Sequence, residues 1–229
     1  MATIEKSLQA VRERIACAAQ NSGRSAQSVQ LLAISKNWPE PALREAYTAG
    51  QSAFGESYLQ EALEKIAVLA DLPLEWHFIG PIQSNKTRAI AENFAWVHSV
   101  DRLKIAERLA QARPENLPPL NICLQVNVSG EGSKSGAAPA EVEILAHALA
   151  KLPRVKLRGL MTIPRPAGDI AEQRAQLRIL RKLFDQLNTQ GLGLDTLSMG
   201  MSDDLEAAVM EGATIVRVGS AIFGNRKKT

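Results

Sequence analysis

The feature that most constrains this chain is a rhythm running along its whole length. Short apolar stretches alternate with longer ones whose apolar residues recur every three or four positions. The short stretches read as strands: "VQLLAIS" (29–35), "SAFGE" (52–56), "EWHFIG" (75–80), "AWVHSV" (95–100), "LNICLQVNV" (120–128), "VKLRGLMTI" (155–163), "TLSMG" (196–200) and "TIVRVGSAIFG" (214–224). The spacing predicts helices from Pro39 to near Gly50, from Tyr58 to Ala70, over "NKTRAIAENF", over "DRLKIAERLAQA" with Asp101 as N-cap, over "PAEVEILAHALAKL", from Asp169 to Asn188, and over "DDLEAAVMEG". One more helix stands in front, with Ile4, Leu8, Val11 and Ile15 on one face, and "NSGR" (21–24) stops it.

Strands separated by helical crossovers argue for parallel pairing. Eight strands with seven connecting helices and one in front suggest an α/β fold, a closed (β/α)8 TIM-type barrel whose eighth helix is the N-terminal one. The competing architecture is an open doubly wound sheet. No GxGxxG follows the first strand, so its dinucleotide-binding version lacks its main support. The barrel takes up residues 1–229 as one domain.

With 27 basic and 24 acidic residues the net charge is +3, too small an excess to imply nucleic acid or an anionic membrane as partner. The basic cluster "NRKKT" reads as a solvated tail. The two cysteines, Cys17 and Cys123, form no CxxC pair, which suits a reducing cytoplasm. The first segment carries charges throughout and lacks the apolar stretch of a signal peptide. No run approaches the roughly 20 apolar residues of a membrane helix. The expectation is a soluble cytoplasmic protein.

A barrel works at the C-terminal ends of its strands. The first strand ends at Ser35-Lys36. If Lys36 shares a face with Leu32 and Ile34, it stands at the rim of an apolar cavity, where partial desolvation disfavours its charged form and favours a nucleophilic amine. The alternative is an ordinary strand-exit lysine in solvent. Arg217 sits in an otherwise apolar and small-residue strand, on one face with Ile215 and Gly219. A guanidinium there needs an acceptor, either a carboxylate such as Glu56 or a ligand. The loops after the last two strands, "MGMSDDLE" and "VGSAIFGNR", combine Gly200 and Gly219 with the hydroxyls of Ser202 and Ser220, a pattern suited to phosphate at backbone N–H groups. Helix capping by Ser202-Asp203, with Glu206 closing a capping box, explains part of the same pattern. His77 and His98 fall at inward strand positions and His147 on a helix, with no metal-ligand spacing among them. "SGEGSKSG" offers Lys134 to an anion or is simply a loop.

Taken in order, "LLAISK", "FGESYLQE", "WHFIGPIQSNKTR", "VHSVDR", "QVNVSGEGSKSG", "LRGLMTIP", "LSMGMSDDLEAA" and "VRVGSAIFG" make the sequence resemble, over nearly its whole length, the pyridoxal phosphate homeostasis family. These are barrels related to the N-terminal domain of alanine racemase, similar to the fold type III pyridoxal phosphate proteins. The resemblance implies that Lys36 carries pyridoxal phosphate as a Schiff base, that Ser202, Gly219 and Ser220 surround its phosphate, and that Arg217 faces the pyridine nitrogen. Ser57 and His77 join the cofactor-binding set. Ser57 is a departure, because the family usually reads F-G-E-N-Y there, and a hydroxyl would replace an amide contact. Ser220 stands where the family often has threonine and keeps the hydroxyl. The resemblance implies a cofactor-binding protein for pyridoxal phosphate homeostasis, a buffer or carrier without robust turnover. Pyridoxal phosphate-dependent apo-enzymes are candidate recipients. The alternatives are a pyridoxal phosphate-dependent amino acid racemase and a Schiff-base aldolase acting on a sugar phosphate.

Overall fold

The structure, a computed structural model, describes residues 3–131 and 135–224. Its strands are β1 (Gln30–Ile34), β2 (Ala53–Glu56), β3 (Glu75–Phe78), β4 (Trp96–Val100), β5 (Leu120–Gln125), β6 (Val155–Met161), β7 (Thr196–Ser198) and β8 (Ile215–Val218). Each pairs parallel with the next, and β8 returns to pair with β1, so the sheet closes as a barrel in chain order. The helices are α1 (Ile4–Asn21), α2 (Glu40–Thr48), α3 (Leu59–Val68), α4 (Thr87–Asn93), α5 (Leu103–Ala112), α6 (Val142–Leu149), α7 (Ile170–Thr189), α8 (Leu205–Met210) and the single turn α9 (Ser220–Phe223).

The strands are apolar nearly throughout because both of their faces are buried. Leu31, Ala33, Phe54, Val97, Ile122, Leu160, Val216 and Val218 point outward into the layer shared with the helices. Leu32, Ile34, Ala53, Trp96, Cys123, Met161 and Ile215 fill the inside. The alternation along β1 and β8 is thus the one their sequence parity demands. Two glycines make room where strands crowd. A Cβ on Gly55 would lie 2.5 Å from Ile34 Cδ1, and one on Gly159 would lie 1.7 Å from the Thr196 carbonyl oxygen.

The N-terminal helix completes the outer ring. α1 packs against α2, α8 and α9, burying Leu8, Val11 and Ile15; each such side chain contributes roughly 1.5–3 kcal/mol. Its Arg14 spans Glu206 at 2.7 and 2.9 Å and the Ser202 carbonyl at 2.9 Å. Arg24, just beyond the helix, donates to the carbonyls of Val209 and Ala213, both at 2.8 Å.

Three local expectations are corrected. Asp101 is not the N-cap of α5; Arg102 holds that position and takes the Asp101 carboxylate as its own partner. The stretch 214–224 is not one strand, because the chain leaves the sheet at Gly219 and turns into α9. The capping box at α8 does not form. Glu206 is drawn to Arg14, and the N-cap is Asp204, whose carboxylate accepts from the Met201 N–H at 2.6 Å. Asp169 does cap α7, accepting from the Glu172 N–H at 2.8 Å.

Substituting Gly159→Ala is expected to destabilise the fold by about 3 kcal/mol or more, because backbone must move to admit the methyl. Gly168→Ala, with open space around it, is expected to stay within about 0.5 kcal/mol of the parent. Urea midpoints of the two variants check the contrast.

Candidate functional site

Closure of the barrel brings the two ends of the chain to one rim. Leu32 lies opposite Arg217 and Ala33 opposite Val218 in the β1–β8 register. Just past those pairs, Gly219 comes so near that a Cβ there would sit 3.1 Å from the Ile34 carbonyl oxygen. Lys36 therefore leaves β1 beside the start of α9. It is half-buried, in a tight turn two residues beyond the strand.

That turn is clamped from below. Asn37 takes a left-handed conformation, φ +65°, and its N–H donates to Glu61 Oε1 at 2.6 Å. Lys65, on α3, reaches the Ser35 carbonyl and Glu56 Oε1, each at 2.8 Å, and Glu61 Oε1 at 2.5 Å. The Ser35 hydroxyl adds a 2.6 Å bond to Glu56 Oε1. Trp38 stacks on Phe223 of α9 with ring centroids 5.7 Å apart. The backbone is thus held on both sides of Lys36, at the Ser35 carbonyl and at the Asn37 N–H. Glu56 is wholly buried, and its other oxygen, Oε2, has no hydrogen-bond partner among the described residues. Burial pushes its carboxyl above the ordinary value, against the opposing pull of Lys65 and Ser35.

Glu56 consequently does not pair with Arg217. It points outward to α3, whereas Arg217 points inward, as its parity with Ile215 requires. Arg217 donates from Nη1 to Ser198 Oγ at 2.9 Å and from Nη2 to the Thr162 carbonyl at 2.8 Å. Burial lowers its pKa to about 10, partly offset by the field of Asp204, so it remains a cation at neutral pH. Below it run two imidazoles. His98 Nδ1 is 2.7 Å from Ser198 Oγ, His77 Nδ1 is 2.9 Å from His98 Nε2, and His77 Nε2 is 2.8 Å from Glu75 Oε1. His77 also stacks on Trp96, centroids 5.4 Å apart and nearly parallel. Both of its nitrogens are engaged inside the protein, so His77 reaches the mouth only through His98 and Ser198. His147 lies in the outer layer, against Gln190.

The loops after β7 and β8 meet at the same rim. The Ser220 hydroxyl donates to Ser202 Oγ at 3.0 Å. Gly200 holds φ +97°, and a Cβ there would meet Ala208 Cβ at 2.5 Å. Arg14 fixes the Ser202 carbonyl from outside. The first N–H groups of α9, as of any helical turn, have no intrahelical acceptor. Asp204 is turned back to the Met201 N–H, so its carboxylate serves the loop. Ser57 stands on the exit of β2, half-buried, its carbonyl packed where a Cβ on Gly80 would come within 2.1 Å. A cavity of about 200 Å³, lined by Ile79, Pro81, Gln125, Ser135 and Ile163, opens beside the ends of β3, β5 and β6. Lys134 lies outside the described residues.

The donor set fits a phosphorylated pyridine aldehyde: an amine on a fixed turn, a buried donor-only cation at the centre, and paired hydroxyls with glycine-flanked N–H groups at one side. Sequence reasoning missed Ser198, Thr162, Lys65 and Glu75. The contacts of Lys65, Ser198 and Thr162 with Glu56, His98 and Arg217 span 9 to 100 positions of chain, and Glu75, two positions before His77, gains its meaning only from the line of side chains that continues beyond it.

Fold and site define a barrel of the alanine racemase N-terminal type, and the family model for "Alanine racemase, N-terminal domain" matches residues 7–227. The chain is 63% identical over 226 residues to the pyridoxal phosphate homeostasis protein of Pseudomonas aeruginosa, covering 99% of this chain and 97% of that one. It is 51% identical over 229 residues to the protein of the same name from Escherichia coli, covering 99% and 98%. Among solved structures, PipY of Synechococcus elongatus with pyridoxal phosphate bound matches with TM-score 0.85 and 42% identity, covering 96% of this chain and all of that one. Alanine racemase of Corynebacterium glutamicum shares the fold at TM-score 0.70 and 20% identity, over 96% of this chain and 62% of that one. The chain belongs to the pyridoxal phosphate homeostasis protein family. No helix among the described residues is long and apolar enough to cross a membrane.

Two outcomes follow from the buried charges. Lys65→Met is expected to cost on the order of 3–5 kcal/mol, since it strands Glu56 and Glu61, and Glu56→Gln in the same chain is expected to recover part of that; thermal melts of both variants check it. Burial also holds His77 and His98 below their ordinary value of 6.5. They are neutral when folded and take up protons below about pH 6.5 only when unfolded, so their contribution is complete above that pH and is lost as pH falls. Urea unfolding from pH 7.5 down to 5.5 is expected to show stability falling, with a shallower slope in His98→Asn.

Proposed function

We propose that this protein binds pyridoxal phosphate in the barrel mouth, as a Schiff base on Lys36, and acts as a cytoplasmic reservoir and carrier of the cofactor without robust turnover. One observation carries the reading. The β1 exit that bears Lys36, the guanidinium of β8 and the hydroxyl pair of the last two loops lie at one end of the β1–β8 seam, in a chain 42% identical to a protein solved with pyridoxal phosphate bound.

Each residue has a role in this reading. Lys36, held by the Glu56–Lys65–Glu61 clamp, presents its amine to the aldehyde. Arg217 faces the ring nitrogen. Ser202, Gly219 and Ser220 surround the phosphate, with the first N–H groups of α9 as donors. Ser57 lines the β2 side, and His77 acts from beneath. When bound, the cofactor supplies an electrophilic carbonyl carbon and, where its ring nitrogen is protonated, a strong electron sink. Arg217 donates and cannot accept, so it keeps that nitrogen unprotonated and the sink weak. Transamination and decarboxylation need the strong sink. Two-base racemisation needs a second base opposite Lys36. Tyr47 sits on α2 in the outer layer, and Tyr58, at the β2 exit, is 53% exposed. The described residues place only the barrel and its loops around this mouth, a setting that favours exchange of a carried molecule, with pyridoxal phosphate-dependent apo-enzymes as recipients.

Purified protein supplied with pyridoxal phosphate is expected to turn yellow, and borohydride is expected to fix the added mass on the peptide containing Lys36; a label on any other lysine would remove the central assignment. Arg217→Met is expected to weaken retention of the cofactor by more than about tenfold, because it removes the buried partner of a charged contact. A panel of L-amino acids is expected to keep its optical rotation in the presence of the loaded protein; a loss abolished in Lys36→Ala would make the protein a racemase.

A further inference from the structure

The side chains beneath Arg217 form one unbroken line through the barrel: Glu75, His77, His98, Ser198 and Arg217, every link between 2.7 and 2.9 Å. His77, His98 and Ser198 have no solvent exposure, and Arg217 has 4%. Glu75, the first residue of β3, has a side chain 43% exposed at the end of the barrel opposite the mouth. It also accepts from Gln30 Nε2 at 3.3 Å.

The direction of every hydrogen bond in this line can be worked out from its two ends. A carboxylate only accepts, so His77 carries its proton on Nε2 and donates to Glu75. A neutral imidazole has one N–H, so His77 Nδ1 accepts. His98 must therefore donate from Nε2, which leaves its Nδ1 as an acceptor. The Ser198 hydroxyl has one hydrogen, and it goes to His98 Nδ1. Ser198 Oγ then receives the Arg217 N–H, and arginine can only donate, so the two ends agree. Burial holds both imidazoles below their ordinary value, which keeps each to a single proton.

We propose that Glu75 is a positioning residue for Arg217. Its negative charge fixes the tautomers of His77 and His98, and thereby turns Ser198 Oγ toward the guanidinium as an acceptor, so that the orientation of Arg217 in the mouth is set from the far end of the barrel. Without that charge the imidazoles are free to take the opposite tautomers. His98 then donates to Ser198 Oγ, the Ser198 hydrogen loses its acceptor and must turn elsewhere, and Arg217 shares the oxygen with a second donor. The inference rests on the reading above, in which Arg217 faces the bound ring.

The variant that isolates the charge is Glu75→Gln, which keeps the size and an accepting oxygen but offers an amide donor as well. In the full chain without cofactor, long-range proton–nitrogen NMR of ¹⁵N-labelled histidine is expected to show His77 and His98 both as Nε2–H tautomers. In Glu75→Gln that pattern is expected to become mixed while the melting temperature stays within about 2 °C of the parent, as for a substitution costing well under 1 kcal/mol. An Nδ1–H on His98 in the parent protein would overturn the assignment. Coupling to the site is read from dissociation constants for pyridoxal phosphate across a double-mutant cycle. Glu75→Gln is expected to weaken binding roughly 3- to 10-fold in the parent background and by less than about twofold beside Arg217→Met. An equal loss in both backgrounds would mean a merely structural effect and overturn the proposal. If Arg217→Met itself bound as tightly as the parent, the placement of Arg217 at the ring would fail and take this inference with it, whatever the tautomers showed.

Discussion

Pairing of β8 with β1 is the constraint on which everything else depends. Eight parallel strands in chain order leave two open edges unless the last meets the first, and here Gln30–Ala33 align with Ile215–Val218. That register sets Leu32 against Arg217 and puts Gly219 against Ile34. The turn bearing Lys36 and the loops bearing Ser202 and Ser220 are thereby brought to one rim. α1 seals the same seam from outside through Arg14, which holds both Glu206 and the Ser202 carbonyl.

Around this seam the protein buries charge in two separate systems. Outside the barrel, Glu56, Lys65 and Glu61 meet under the Lys36 turn. Inside it, Arg217 and Glu75 stand at opposite ends of a line of neutral groups. Neither arrangement is what a stability-maximising core would use, because desolvating charge is costly and apolar replacements are often as stable. Both systems instead fix direction. The first locks the backbone on either side of one amine, and the second leaves one guanidinium a single set of acceptors. A site that must hold a small molecule reversibly gains from groups that do not reorganise when it arrives or leaves.

Much of this was legible in the residues. The short apolar runs between helix-period segments located all eight strands, and the inward parity of Leu32, Ile34, Ile215 and Arg217 followed from β1 and β8 alone. What failed was local. Asp101 and Asp203 have the residue types of helix caps, yet Arg102 and Asp204 hold the caps; the Asp101 carboxylate pairs with Arg102 and Glu206 with Arg14. Glu56 looked like a natural partner for Arg217, but adjacent strand positions face opposite ways, and Gly55 points inward where Glu56 points out.

The sequence by itself determined the alternation of strands and helices, the faces of the strands and the presence of an amine, a cation and glycine-hydroxyl loops at strand ends, because each of these rests on periodicity or on chemistry carried by a few neighbouring residues. Only the tertiary structure decided who touches whom: that Lys65 supports the Lys36 turn from a helix, that Ser198 and Thr162 hold Arg217, and that a half-exposed glutamate at the barrel floor is linked to its mouth. Those contacts join residues from different strands and helices, and their geometry exists only once the sheet has closed.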